Sequence, residues 1–240
     1  MRILIAGPPK TGNMWLKCLL SRIYDLRWLP NDELPGRPDA EVFASWAAAG
    51  GFTDNTIFHQ HYKYSPVLAD AADALPAHLV TIIRDPYDAF VSTYFTIQQH
   101  DPAKATRARN RTDLYGKDLQ SDEVLQMLRE GGYLGNLTKA NDWLHSGRAI
   151  VLRYEELHAD PVATLTGLTE RLGPASPEKI TAAVEYCSAD AMRQRGGGEA
   201  RHVRSATVGD SHRHLTEAHL EVFRDDRYAR LIESLGYPVR

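Results

Sequence analysis

The sequence predicts an α/β fold: a single domain with a central parallel β-sheet flanked by helices. Three observations predict it. Short apolar runs at residues 3–6, 56–58, 79–83 and 149–154 alternate with segments of helical periodicity, the pattern of a doubly wound sheet. The run Leu79-Val80-Thr81-Ile82-Ile83 has no breaker and little polarity, as a strand buried on both faces requires. The 240 residues are 43% hydrophobic and 25% charged, enough for one core, and no composition shift demands a boundary, so residues 1–240 read as one domain.

The first strand, at residues 3–6, is closed by Gly7-Pro8-Pro9. Asn13 then opens a helix marked by Trp15, Leu16, Leu19, Leu20 and Ile23. Strand, glycine-bracketed loop and helix together aim backbone N–H groups and a helix N-terminus at a phosphate. Gly7 and Gly12 have P-loop spacing, which makes the domain P-loop-like, but Asn13-Met14 stands where Lys-Ser/Thr should follow. Met14 has no hydroxyl to hold Mg²⁺, and the lysine has moved into the loop as Lys10. Such a loop suits a phosphorylated donor used without a metal.

Residues 28–54 are irregular, punctuated by Pro30, Pro35, Gly36, Pro38, Gly50 and Gly51, with a short helix at 40–49. The second strand runs into His59-Gln60-His61, and a helix follows at 67–75. Arg84-Asp85-Pro86 ends the central strand and a helix covers 87–99. Residues 98–120 carry Lys104, Arg107, Arg109, Arg111 and Lys117, while 190–215 contains Gly196-Gly197-Gly198; both are expected to be mobile loops over the site. Ser121 caps a helix through Glu130, and another spans 134–145. Asp160-Pro161 and Ser176-Pro177 start two more. Thr216 caps a closing helix, followed by a helical segment at 228–235.

Formal net charge is −3 and the pI is about 6.4, so no global basic excess points to nucleic acid or an anionic membrane. The two cysteines, Cys18 and Cys187, make no disulfide framework, which fits a reducing compartment, and Cys18 reads as core packing. No signal-peptide pattern opens the chain, and no stretch approaches the roughly 20 apolar residues of a membrane span. A soluble, cytoplasmic protein is expected. His212 and His214 with His202, or His59 with His61, lack a surrounding Cys or carboxylate set, so no metal is expected.

In a sheet of this kind ligands bind beyond the carboxyl ends of the strands. The loop at 7–12, His59 and His61, Arg84 and Tyr154 should therefore face one crevice. At these positions a family becomes visible. Pro9-Lys10-Thr11-Gly12-Asn13-Met14-Trp15 resembles the 5′-phosphosulfate loop of sulfotransferases that use 3′-phosphoadenosine 5′-phosphosulfate (PAPS). The stretch from Ile83-Arg84-Asp85-Pro86 to Ser92 resembles their 3′-phosphate motif. Arg204-Ser205-Ala206 with Gly209-Asp210 resembles a degraded form of their late Arg-Lys-Gly-x-x-Gly-Asp loop, and Tyr154-Glu155-Glu156-Leu157 resembles their Tyr-Glu-Asp-Leu segment. Order and spacing are most similar to the soluble, small-acceptor branch of bacterial type.

The resemblance implies sulfuryl transfer from PAPS to a hydroxyl of a small-molecule acceptor. His61 takes the place of the catalytic base, with Lys10 neutralising the leaving oxygen and His59 beside it. Donor contacts fall to Pro9, Lys10, Thr11, Gly12, Asn13, Met14, Trp15, Arg84, Ser92, Tyr154, Arg204, Ser205 and Ala206. Arg84 offers a planar fork of donors for the 3′-phosphate, and Tyr154 and Trp15 border the adenine. Departures are His59 for a lysine, Ser205-Ala206 for Lys-Gly, and Ser211 for a frequent Trp. The acceptor should enter near His61, bordered by residues 30–55 and by the 98–120 loop. Trp28, Trp46, Phe52, Tyr62, Tyr64 and Phe95 would suit a phenolic or polycyclic molecule, although core packing explains most of them. Two competitors stand: a small-molecule kinase needing ATP and Mg²⁺, against which Asn13-Met14 argues, and a non-catalytic nucleotide-binding relic.

Overall fold

The computed structural model describes residues 1–30, 34, 39–99, 112–196 and 204–240. Along the chain run β1 (Arg2–Ala6), α1 (Asn13–Tyr24), β2 (Arg27–Trp28), α2 (Ala40–Ala48), β3 (Thr56–Gln60), α3 (Pro66–Ala74), β4 (Ala77–Ile83), α4 (Pro86–Gln98), α5 (Asp122–Arg129) and α6 (Leu134–His145). Then follow β5 (Ile150–Arg153), α7 (Tyr154–Ala159), α8 (Pro161–Leu172), α9 (Pro177–Tyr186), α10 (Ala189–Arg195), α11 (Glu217–Phe223) and α12 (Asp226–Ser234). The described residues group into two compact units, Met1–Arg84 with Asp142–Ala206 and Asp85–Asn141 with Thr207–Arg240.

The first unit holds the sheet, in the order β2-β3-β1-β4-β5 with every pairing parallel. Alternation along β1 sends Ile3 and Ile5 to one face, and Leu4 and Ala6 to the other. On the first face Leu16 and Leu19 of α1, Leu165 and Leu168 of α8 and Ile180 of α9 complete the core. On the second, Phe43 and Ala47 of α2 and Leu68, Ala69 and Ala72 of α3 do so. Trp143 is wholly buried there, and its indole N–H donates to Tyr62 O at 3.0 Å, which satisfies the ring's one polar atom.

The second unit packs aromatic rings edge to face: Phe90 on Tyr133 (5.3 Å) and on Phe223 (5.6 Å), and Phe223 on Tyr228 (5.3 Å). Asp85 caps α4, its Oδ1 accepting Tyr87 N and Asp88 N, and its Oδ2 pairs with the Arg240 guanidinium at 2.6 Å. Asp88 accepts Gly209 N and Ser211 N, which pins that turn. His219 replaces the usual Glu or Gln of a capping box: its Nδ1 accepts Thr216 N while Nε2 donates to Leu119 O at 3.0 Å. Burial holds its pKa below the ordinary histidine value.

Three expectations need correcting. Cys18 and Cys187 form a disulfide, Cα–Cα 6.1 Å and 169 residues apart. Both are buried, so the core role of Cys18 holds, but the pairing arises because α1 packs against α9, a tertiary fact that a cysteine count cannot carry. The cysteines therefore give no support for a reducing compartment. Tyr154 does not end a strand; it opens α7. Residues 27–28 form a fifth strand, paired with β3 and reaching into the stretch from residue 28 that was expected to be irregular. Of the two segments expected as loops, 100–111 and 197–203 lie outside the described residues, including Lys104, Arg107, Arg109, Arg111, Gly197, Gly198 and His202, as do 31–33 and 35–38 of the expected acceptor border. The described remainder includes a 3-10 turn at Thr112–Leu114, buried Leu114 and Leu119, helix α10, and a 3-10 turn at Asp210–Arg213.

Candidate active site

Because the sheet is wholly parallel, its carboxyl edge collects the residues that follow β1, β3, β4 and β5. After β1 the loop braces itself. Thr11 Oγ1 donates to Pro8 O at 3.2 Å, and Asn13 Nδ2 donates to Pro8 O at 2.7 Å and to Thr11 Oγ1 at 3.3 Å. Thr11 and Asn13 are buried, so their side chains shape the loop from within. Gly12, the residue before α1, has φ 104°, and a Cβ there would come within 2.7 Å of the Tyr154 ring; only glycine suits both constraints.

Lys10 has φ 67° and is half-buried. Burial lowers its ammonium pKa to about 8, helped by the charges of Arg84 and Arg204. Three cations thus gather around one loop. Arg84, buried at the end of β4, donates from Nη1 to Lys10 O at 3.4 Å, and its guanidinium lies 4.2 Å from the centre of the Tyr154 ring. Trp15 meets Tyr154 edge-on at 5.9 Å. This donor set, rich in N–H groups and flanked by aromatic faces, suits a polyanion carrying a flat base, so the residues fit a nucleotide such as PAPS. Pro9 is half-buried in the same loop, and Met14 is half-buried in the first turn of α1.

His61 follows β3. Its Nδ1 lies 3.3 Å from Gly7 O. A carbonyl only accepts, so in this contact Nδ1 carries the hydrogen and the basic lone pair of the neutral ring is on Nε2. His59, buried within β3, touches the His61 ring edge-on at 4.8 Å. The alternation that put both histidines on one face is seen as this ring contact.

Within the first unit the structure thus brings together Lys10, Gly12, Trp15, Arg84, Tyr154 and Arg204, and separately joins His59 to His61 and His61 to the loop. Ser205 and Ala206 follow Arg204, and Ala206 has φ 53°. Ser92 is buried on α4 of the second unit, and its place in donor binding rests on the resemblance. Sequence reasoning missed His158. Its Nε2 lies 2.8 Å from Ala206 O, and its ring borders Trp15 at 6.5 Å and Tyr154 at 5.8 Å. The available signal was its spacing four residues after Tyr154, one turn along the same helical face. Among the described residues, no group of three or more His, Cys, Asp or Glu is placed to hold a metal ion, and no helix is long and apolar enough to cross a membrane.

Residues 1–234 match the family model described as the sulfotransferase domain. The chain belongs to the sulfotransferase family. A curated relative, cytosolic sulfotransferase 3 of Arabidopsis thaliana, is 24% identical over 246 aligned positions that cover 89% of this chain and 71% of the relative. Among solved structures, mouse sulfotransferase SULT7A1 complexed with PAP superposes with TM-score 0.67 at 18% identity, covering 97% of this chain and 87% of that one. A retinol dehydratase in complex with androsterone and the inactive cofactor PAP gives TM-score 0.63 at 16% identity, over 100% of this chain and 82% of that one. These likenesses carry the fold: a parallel five-stranded α/β sheet with a glycine-bracketed loop after β1.

Proposed function

We propose that this sulfotransferase moves a sulfuryl group from PAPS to the hydroxyl of a small-molecule acceptor, with His61 as general base. The observation that carries the reading is the cation cluster of Lys10, Arg84 and Arg204 around a glycine loop faced by Tyr154, with His61 bonded to the same loop through Gly7 O. His61 Nε2 takes the acceptor's hydroxyl proton while the acceptor oxygen bonds to sulfur. The bond from sulfur to the phosphate oxygen breaks, and the Lys10 ammonium offsets the charge left on that oxygen. His59 holds the His61 ring edge-on. Arg84 and Arg204 take the 3′-phosphate, with Ser92 assigned by resemblance, and Tyr154 and Trp15 border the base. The androsterone held by the retinol dehydratase neighbour supports the polycyclic reading of the acceptor.

Calorimetric titration with 3′-phosphoadenosine 5′-phosphate (PAP), without metal, tests the donor. Arg84→Ala should weaken binding at least tenfold, about 1.4 kcal/mol. Binding of ATP–Mg²⁺ with none of PAP would replace the sulfotransferase reading by the kinase one. His61→Ala should lower turnover by about 10²–10⁴-fold and leave PAP affinity within about twofold. A relic would show no turnover in the wild type. Turnover surviving in His61→Ala would remove His61 from the base role.

A cytosolic location is supported by the name of the Arabidopsis relative. A lasting Cys18–Cys187 bond needs an oxidising compartment instead. Thiol counting on protein isolated under alkylating conditions decides between them: two free thiols favour the cytosol, none the oxidising compartment.

A further inference from the structure

Arg204 reaches the cation cluster at the head of a short segment, Arg204-Ser205-Ala206, whose shape is not self-supporting. Ala206 has φ 53°, in the left-handed region where a Cβ is unfavourable and glycine is the ordinary occupant. Nothing in the side chains of Ser205 or Ala206 replaces the missing cation or the missing glycine. Two side chains from outside the segment hold its carbonyls. Arg193 of α10 donates from Nη2 to Arg204 O at 3.4 Å, and is itself oriented by Asp190 at 2.9 Å. His158 of α7 lies with Nε2 only 2.8 Å from Ala206 O. The carbonyl only accepts, so Nε2 carries the hydrogen. The imidazole is in turn set by Trp15 and Tyr154, the two rings assigned to the base of the nucleotide.

We propose that His158 is a positioning residue for the donor: by bonding Ala206 O it keeps the left-handed turn closed and so holds Arg204 in the cluster with Lys10 and Arg84. The role rests on the PAPS reading above and adds a residue to it. It makes the adenine side of the site and the 3′-phosphate side one mechanical piece, since the same helical turn of α7 carries Tyr154 and His158. It also gives a reason why this chain works without a glycine at 206: the hydrogen bond compensates the turn from outside.

The test compares PAP with adenosine 5′-phosphate, which lacks the 3′-phosphate, on the full chain. His158→Phe keeps a flat ring beside Trp15 and Tyr154 and removes the donor. It should weaken PAP binding by about three- to tenfold, the loss of one hydrogen bond, and leave adenosine 5′-phosphate binding within about twofold. His158→Gln, whose amide can still donate, should restore PAP binding. Amide hydrogen exchange of residues 204–206 should quicken in His158→Phe and return to the wild-type rate in His158→Gln. Unchanged PAP affinity in His158→Phe, equal weakening of both nucleotides, or failure of His158→Gln to restore binding each overturns the proposal while the donor reading stands. A wild type that binds no PAP removes the donor reading first; exchange that still quickens in His158→Phe then marks a purely structural tether.

Discussion

Lys10 is the residue whose chemistry is most exposed to experiment. Its folded pKa is about 8 because burial and two neighbouring arginines penalise its charge. An incoming polyanion reverses that penalty and raises the pKa. Between these two values, donor binding must take up a proton. PAP affinity should therefore hold steady below pH 8 and fall above it by up to about tenfold per pH unit. Titrations at pH 9 in buffers of different ionisation enthalpy should show proton uptake, and Lys10→Met should abolish most of it. In the absence of donor the sign is opposite for stability. The folded pKa lies below the unfolded value of about 10.4, so the unfolded chain binds more protons between pH 8 and 10 and stability rises with pH across that window. Lys17 adds to this rise. It is buried, and its pKa is likewise lowered to about 8, with Nζ 4.6 Å from the centre of the Trp28 ring and 3.4 Å from Leu29 O. A Tm that falls from pH 8 to 9.5 would remove both assignments. Gly12 makes a sharper prediction. Gly12→Ala combines φ 104° with a contact of 2.7 Å against Tyr154, so it should cost roughly 1–3 kcal/mol of stability from backbone strain alone and displace Tyr154 from Arg84, read as weakened PAP binding.

At the scale of elements, the placement of much of the candidate site was legible because those residues sit at the ends of strands. Strand-forming runs have strong local signals, and a parallel sheet carries their ends to one edge whatever the loops do. Residues 7–12, His61 and Arg84 were placed by that logic. What failed has local causes. Strand β2 is two residues long, too short for any period to register. Helix α7 is a six-residue turn that begins on Tyr154, so the apolar run of β5 hid its start. His158 was missed because its role is a contact with a chain segment 48 residues away. The disulfide was missed for the same reason on a larger scale, since it joins α1 to the end of α9 across 169 residues. A closed loop of that length restricts the unfolded chain by about 5 kcal/mol in the entropic model, with typical measured effects of 2–5 kcal/mol. Cys18→Ala/Cys187→Ala, or reduction of the wild type, should lower unfolding free energy by about that amount in a denaturant titration. An unchanged midpoint would mean that the two thiols are not bonded in solution.

For the whole molecule, charge decides between the two enzymatic readings. The chain is net negative, −3, so an anionic donor gains nothing from the overall field. On the proposed reading its recognition is local, through the charges gathered at the loop, Lys10, Arg84 and Arg204. An ATP-using P-loop enzyme spreads that task between lysine and Mg²⁺, with a Ser or Thr hydroxyl holding the metal. Here that position is Met14, and two arginines lie beside the loop lysine. The consequence is a pair of opposite responses. Sulfuryl transfer from PAPS should be unaffected by EDTA, within about twofold, whereas a kinase would lose activity outright. Salt should act the other way. Raising ionic strength from low to about 0.5 M shortens the Debye length to a few ångströms and should weaken PAP binding several-fold, less so in Arg84→Ala, which has one cation fewer to screen. Turnover that needs Mg²⁺ and tolerates salt would show that the arginines are structural and that the loop is a phosphoryl-transfer site after all.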